Sequence, residues 1–151
     1  MVSCTPKSES RIARDLLDAI FSIDPEARVL ETGYPGLLLL ETSANVEELV
    51  KTLNKYPIRG LKRVFLVVSS RRMSCSPLAA LLELVSEARR LGLSISDVKL
   101  RGRWKDLSRS LSLHIGRCEG VVGARIETLG DDALLTVGVW PKAWGGRDKG
   151  Q

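Results

Sequence analysis

The sequence predicts an α/β protein of the α+β kind, a mixed sheet with helices packed on it, and three observations carry that reading. Helical-period apolar stripes alternate with short runs of strand formers along the 151 residues. One run, Val64 to Val68, is apolar throughout, as in a strand covered on both faces. A strand, a helix and a second strand then follow between residues 64 and 101, a spacing that suits parallel pairing through a right-handed crossover.

Ser8 to Phe21 place Ile12, Leu16 and Ile20 on one stripe, which predicts a helix. Arg28 to Thr32 and Leu37 to Thr42 flank Gly33-Tyr34-Pro35-Gly36, a pattern for an antiparallel hairpin with a four-residue turn. Asn45 and Glu48 stand at capping-box spacing, and Val46, Leu49, Val50 and Leu53 continue as a helical stripe that Pro57 closes. After Val64 to Val68, Ser76 and Pro77 offer an N-cap and a first-turn proline. Leu78, Leu81, Leu82, Val85 and Ala88 form the buried face, and Gly92 supplies the stop. Ile95 to Arg101 reads as a strand. Leu107, Leu111, Ile115 and Cys118 mark a helix that Gly120 ends. Val122, Ala124 and Ile126 alternate with Arg125 and Glu127, and Gly130-Asp131-Asp132 turns the chain into Leu135, Val137 and Val139 as a closing hairpin. From Trp144 the chain has little to bury and is expected to be a disordered tail.

No stretch reaches the ~18 to 20 apolar residues of a membrane helix, and Met1 to Ser10 lacks the layout of a signal peptide, so the expected setting is the cytoplasm without membrane contact. Cys4, Cys75 and Cys118 are far apart and have no metal-ligand spacing, which predicts buried thiols and neither metal nor cofactor. Charge is unevenly placed. Residues 1 to 56 hold 6 Lys and Arg against 9 Asp and Glu, whereas residues 57 to 151 hold 17 against 9. The second part therefore offers a field that attracts phosphate.

The densest cationic feature is Lys99-Leu100-Arg101-Gly102-Arg103-Trp104-Lys105-Asp106-Leu107-Ser108-Arg109, with five positive charges and one negative. In a strand ending near Arg101, alternation turns Val98 and Leu100 inward and leaves Lys99 and Arg101 on the outer face. Arg103 and Lys105 follow at the mouth of the next helix, and Arg109 lies off that helix's apolar stripe. Gly102 permits close approach of the backbone, and Trp104 either stacks on an unpaired base or packs as a lid over the core. Arg71 and Arg72 close the preceding strand and are expected beside Arg101 and Arg103, because ends of parallel strands share one side of a sheet. The other reading of the run is a solvated face, or a basic face that docks an acidic protein partner.

Catalytic patterns are absent from the sequence: there is no G-x-S-x-G, H-E-x-x-H, Walker loop or G-x-G-x-x-G. His114 borders an apolar stripe and reads as structural. Glu47-Glu48 and Asp131-Asp132 sit at a helix start and a turn, where acids have local reasons to be. No enzyme site is expected.

Ala44-Asn45-Val46-Glu47-Glu48-Leu49, Tyr56-Pro57-Ile58-Arg59-Gly60-Leu61-Lys62-Arg63-Val64 and Lys99-Leu100-Arg101-Gly102-Arg103 occur in the order and at the spacing of a known module. Residues 44 to 139 resemble the THUMP domain, with Pro-Ile-Arg-Gly the most telling piece. The resemblance implies a THUMP-like mixed sheet in residues 44–142, preceded in 1–43 by a small ferredoxin-like half-domain and followed by a tail in 143–151. It also implies binding of tRNA near the acceptor stem and 3′ end, with the RNA-contacting role on Lys99, Arg101 and Arg103 and the turn at Gly102. The family often follows its basic motif with a Phe-Thr-Ser-type helix start, where this chain has Trp104-Lys105-Asp106-Leu107-Ser108. No catalytic domain is expected after Val139. The implied protein is therefore a tRNA-binding adaptor for a separate modifying enzyme, similar to the accessory factor that presents tRNA to an acetyltransferase forming N4-acetylcytidine.

Overall fold

The computed structural model describes residues 1–73, 76–107 and 122–141. The chain divides into two compact units, one built from Met1–Leu66 with the described end of the chain from Val139, the other from Val67–Gly138. Helix 46–55 belongs to the first of these, whereas the boundary expected at 43/44 would assign it to the second. The reason is its core: Leu49 and Leu53 pack with Ile12, Leu16 and Ile20.

The first unit contains β1 (Val2–Cys4), α1 (Glu9–Ile20), β2 (Arg28–Glu31), β3 (Leu37–Glu41), α2 (Val46–Lys55) and the first half of β4 (Leu61–Arg72). Its strands lie in the order β2-β3-β1-β4, and every pairing is antiparallel. The stripe Ile12, Leu16 and Ile20 is fully buried, as helical spacing predicts. Asn45 caps α2 by accepting the Glu48 N–H at 2.8 Å, and its own side-chain amide donates to the Glu48 carboxylate at 3.2 Å. The hairpin of β2 and β3 turns at Gly33 and Gly36, both with positive φ. Strand β1 has no counterpart among the sequence expectations. It carries Val2 and Cys4 into the core between β3 and β4.

The second unit contains the rest of β4, α3 (Pro77–Arg90), β5 (Leu93–Lys99), β6 (Val122–Leu129) and β7 (Asp132–Trp140), whose last residues fall in the first unit. Its strand order is β4-β7-β6-β5, with β5 and β6 parallel and β6 and β7 an antiparallel hairpin. The fold class is thus the expected mixed one, but the pairing differs. Strands β4 and β5 are not neighbours, because β5 takes β6 as its parallel partner and the hairpin fills the space beside β4. A bulge between Ile95 and Asp97 makes this pairing productive. It sets Ile95 and Val98 opposite Ala124 and Ile126, all packed in one core with Leu81, Leu84, Val85 and Ala88 of α3. Leu78 and Leu82, expected in that face, are half-buried, and Ala80 and Leu84 are buried instead. Pro77 occupies the first turn and Gly92, at φ 73°, stops the helix.

The run Val64 to Val68 is not covered throughout. Val64 joins the first core and Val68 packs on the second, while Leu66 joins neither and is 44% exposed. The expected helix after Leu107, together with Arg109, His114, Cys75, Cys118 and the tail, lies outside the described residues. Cys4 is a buried free thiol. Among the described residues no helix is long and apolar enough to cross a membrane, which says nothing of a β-barrel.

Candidate nucleic-acid interface

The ends of β4, β5 and β6 and the start of β7 meet at one edge of the second unit. Register places Lys99 opposite Glu127 at the end of β5 and β6, and Leu129 opposite Asp132 across the closing turn. The Met73 N–H donates to the Asp131 carbonyl at 2.8 Å, so the residue after β4 is tied to the same turn. Strand-end cations therefore converge although β4 and β5 are not paired.

The cations play different parts. Lys99 and Lys105 are exposed. Arg101 is not on an outer face with Lys99, contrary to the alternation expected of it, because β5 ends at Lys99 and the chain turns in over β6. Its side chain is 13% exposed and lies 2.9 Å from the Glu127 carboxylate. Its backbone N–H donates to the Thr128 hydroxyl at 2.6 Å and its guanidinium to the Thr128 carbonyl at 2.8 Å. Glu127 itself is fully buried and accepts from the Thr136 hydroxyl at 2.9 Å. Arg125, which alternates with Ala124 and Ile126, is only 12% exposed and lies 3.0 Å from Asp97 and 4.0 Å from Glu127. A buried carboxylate with cations around it holds a segment in place, since each charge out of water needs its counter-charge.

Gly102, at φ 62°, opens a single 3-10 turn over Gly102–Trp104 that lifts Arg103 into solvent. The Arg103 side chain is 65% exposed. Its guanidinium sits 4.4 Å from the centre of the Trp104 ring and pairs with Asp131. Trp104 is half-buried against the core, and its indole N–H donates to the Gly130 carbonyl at 2.9 Å. One face of the ring under a guanidinium, its edge bonded and its body on the core make Trp104 a latch between this turn and the β6–β7 turn. Arg72 is 77% exposed and 3.8 Å from Asp132. Arg71 is turned along its own strand. It pairs with Glu83 at 3.0 Å and donates to the Ser69 hydroxyl and the Ser70 carbonyl.

The described ledge is therefore Lys99, Arg103, Lys105 and Arg72, with Arg101, Gly102 and Trp104 shaping it. Such a surface can pair with phosphate oxygens. Among the described residues it brings together no nucleophile and base, and no group of His, Cys, Asp and Glu there could hold a metal ion. Sequence reasoning missed Glu127, Asp131 and Asp132 as parts of the site. The acidic turn was visible, but its pairing with Arg72 and Arg103 depends on which strand ends meet.

No protein-family model matches the chain, and no curated protein does. Among solved structures it is similar to the crystal structure of a predicted N6-adenine-specific DNA methylase from Listeria monocytogenes, with a TM-score of 0.56 and 11% identity. The match covers 94% of this chain and 40% of that one. At such identity the likeness is one of fold, and the chain spans two fifths of the methylase's length.

Proposed function

We propose that this chain is a tRNA-binding adaptor that works in the cytoplasm, a THUMP-like module that holds tRNA near its acceptor stem and 3′ end for a separate modifying enzyme. The observation that carries the reading is the convergence of Lys99, Arg103, Lys105 and Arg72 at one sheet edge, with Arg103 and Arg72 65% and 77% exposed. Phosphate contacts of this kind position a nucleic acid by shape and charge without reading its bases.

Affinity for tRNA should fall steeply with salt, as counterions released on binding are recaptured. Replacing Arg72 and Arg103 together with Ala should reduce the log–log salt slope by about 0.7 to 0.9 per arginine lost. An unaltered slope in the Arg72→Ala, Arg103→Ala protein would overturn this placement of the interface.

A further inference from the structure

We propose that Asp131 and Asp132 gate the ledge. They hold Arg103 and Arg72 until a ligand presents closely spaced phosphates that displace both carboxylates, so isolated anions and flexible polyanions compete poorly. The inference rests on the RNA-binding reading above and adds the residues that set its selectivity.

The geometry of the turn is what makes this a device. Leu129 pairs with Asp132, so Gly130 and Asp131 form a two-residue hairpin loop, and Gly130 adopts the φ of 62° that such a loop requires at its first position. Two bonds from outside the hairpin fix it: the Met73 N–H reaches the Asp131 carbonyl at 2.8 Å, and the Trp104 indole reaches the Gly130 carbonyl at 2.9 Å. The backbone is thereby pinned between the end of β4 and the turn that carries Arg103. Each carboxylate meets one arginine, Asp131 with Arg103 and Asp132 with Arg72 at 3.8 Å.

Asp131 suits a hairpin loop, but Asp132 opens a strand, where aspartate is disfavoured and the ladder has no use for its carboxylate. Both pairs are open to solvent, with the aspartate side chains 54% and 47% exposed. An exposed pair biases its arginine by about fivefold at most. A phosphate backbone gains from released counterions as well as from each contact, and can exchange for such a weak partner. A lone anion has no counterions to release. Two adjacent gates must open together, which favours a ligand whose phosphates are held at a fixed separation, as in a folded RNA.

The test uses the full chain with two probes, a tRNA transcript and single-stranded polyuridylate. The Asp131→Asn, Asp132→Asn protein should bind both about five- to tenfold tighter at low salt, with the larger gain for polyuridylate, so that preference for tRNA shrinks. Asp15→Asn with Asp18→Asn makes the same change in net charge without removing a partner of Arg72 or Arg103, and measures the effect of net charge alone. A gain no larger than this control, or weaker binding in a variant that unfolds like wild type, overturns the gate. If the double variant unfolds early, Asp132→Asn alone is judged by the same criterion. Wild-type protein that binds neither probe in a salt-dependent way overturns the RNA reading and the gate with it. Loss of slope in the Arg72→Ala, Arg103→Ala protein without tightening in the Asn variants overturns the gate alone.

Discussion

The Arg101 guanidinium lies 2.9 Å from the carboxylate of Glu127, a side chain with no exposure to solvent. The most conspicuous basic motif of the sequence thus spends its central arginine on the interior. Its neighbours Lys99, Arg103 and Lys105 are exposed.

Glu127→Gln should destabilise the protein by about 3 kcal/mol, because it leaves Arg101 without its carboxylate partner where water is scarce. Urea unfolding of the single variants and of Arg101→Met with Glu127→Gln forms a cycle. The double variant should lose about 1 to 3 kcal/mol less than the sum of the singles. Strict additivity would mean that the two side chains do not interact.

Trp104→Phe keeps the aromatic body on the core and removes the indole N–H that reaches Gly130. Unfolding free energy should drop by about 1 kcal/mol, the ordinary net worth of one hydrogen bond. Trp104→Ala should cost about 2 kcal/mol or more, since a half-buried ring leaves a void. Equal stability of the Phe variant and wild type would remove the latch.

Features whose cause is local could be read directly from the sequence. The stripe Ile12, Leu16 and Ile20, the Asn45 cap and both hairpins follow from periodicity and turn chemistry within a dozen residues. Strand β1 was invisible because three residues, Val2 to Cys4, are too few to show a period. Alternation assigned Arg125 and Glu127 correctly to the face opposite Ala124 and Ile126, but it cannot tell whether that face is covered. Separation of β4 from β5 turns on the β6–β7 hairpin competing for the place beside β4, a long-range choice. The candidate site inherits both limits: its basic residues were legible, and the carboxylates that pair with them were not.

The hairpin glycines separate backbone strain from steric clash. A Cβ on Gly36 would meet the Cys4 carbonyl oxygen at 2.7 Å, and φ there is +75°. Gly33, at φ +81°, has nothing within 4 Å of the same position. Gly33→Ala should therefore cost only the left-handed strain, about 1 kcal/mol, whereas Gly36→Ala adds displacement of β1 and should cost about 2 kcal/mol or more. Chemical denaturation of the two variants compares them, and equal losses would show that β1 yields freely.

Acid should loosen the first unit through Asp24. This buried carboxylate accepts from the Thr42 hydroxyl at 2.7 Å and the Ser43 N–H at 2.9 Å, and also from the Glu26 N–H at 3.1 Å. Those bonds, the Thr42 hydroxyl first, hold its pKa below the ordinary aspartate value. Glu9 is lowered in the same way, chiefly by the Gly36 N–H. A carboxyl whose folded pKa is depressed binds its proton more readily when unfolded. Its contribution to stability is then full above the unfolded value of about 3.9 and is lost as pH falls through the lower folded one. The melting temperature of the wild type should thus drop below about pH 4. Asp24→Asn should be less stable at neutral pH and show a shallower acid limb, because it has no proton to take up there. An acid limb as steep in Asp24→Asn as in wild type would assign the loss to other carboxylates.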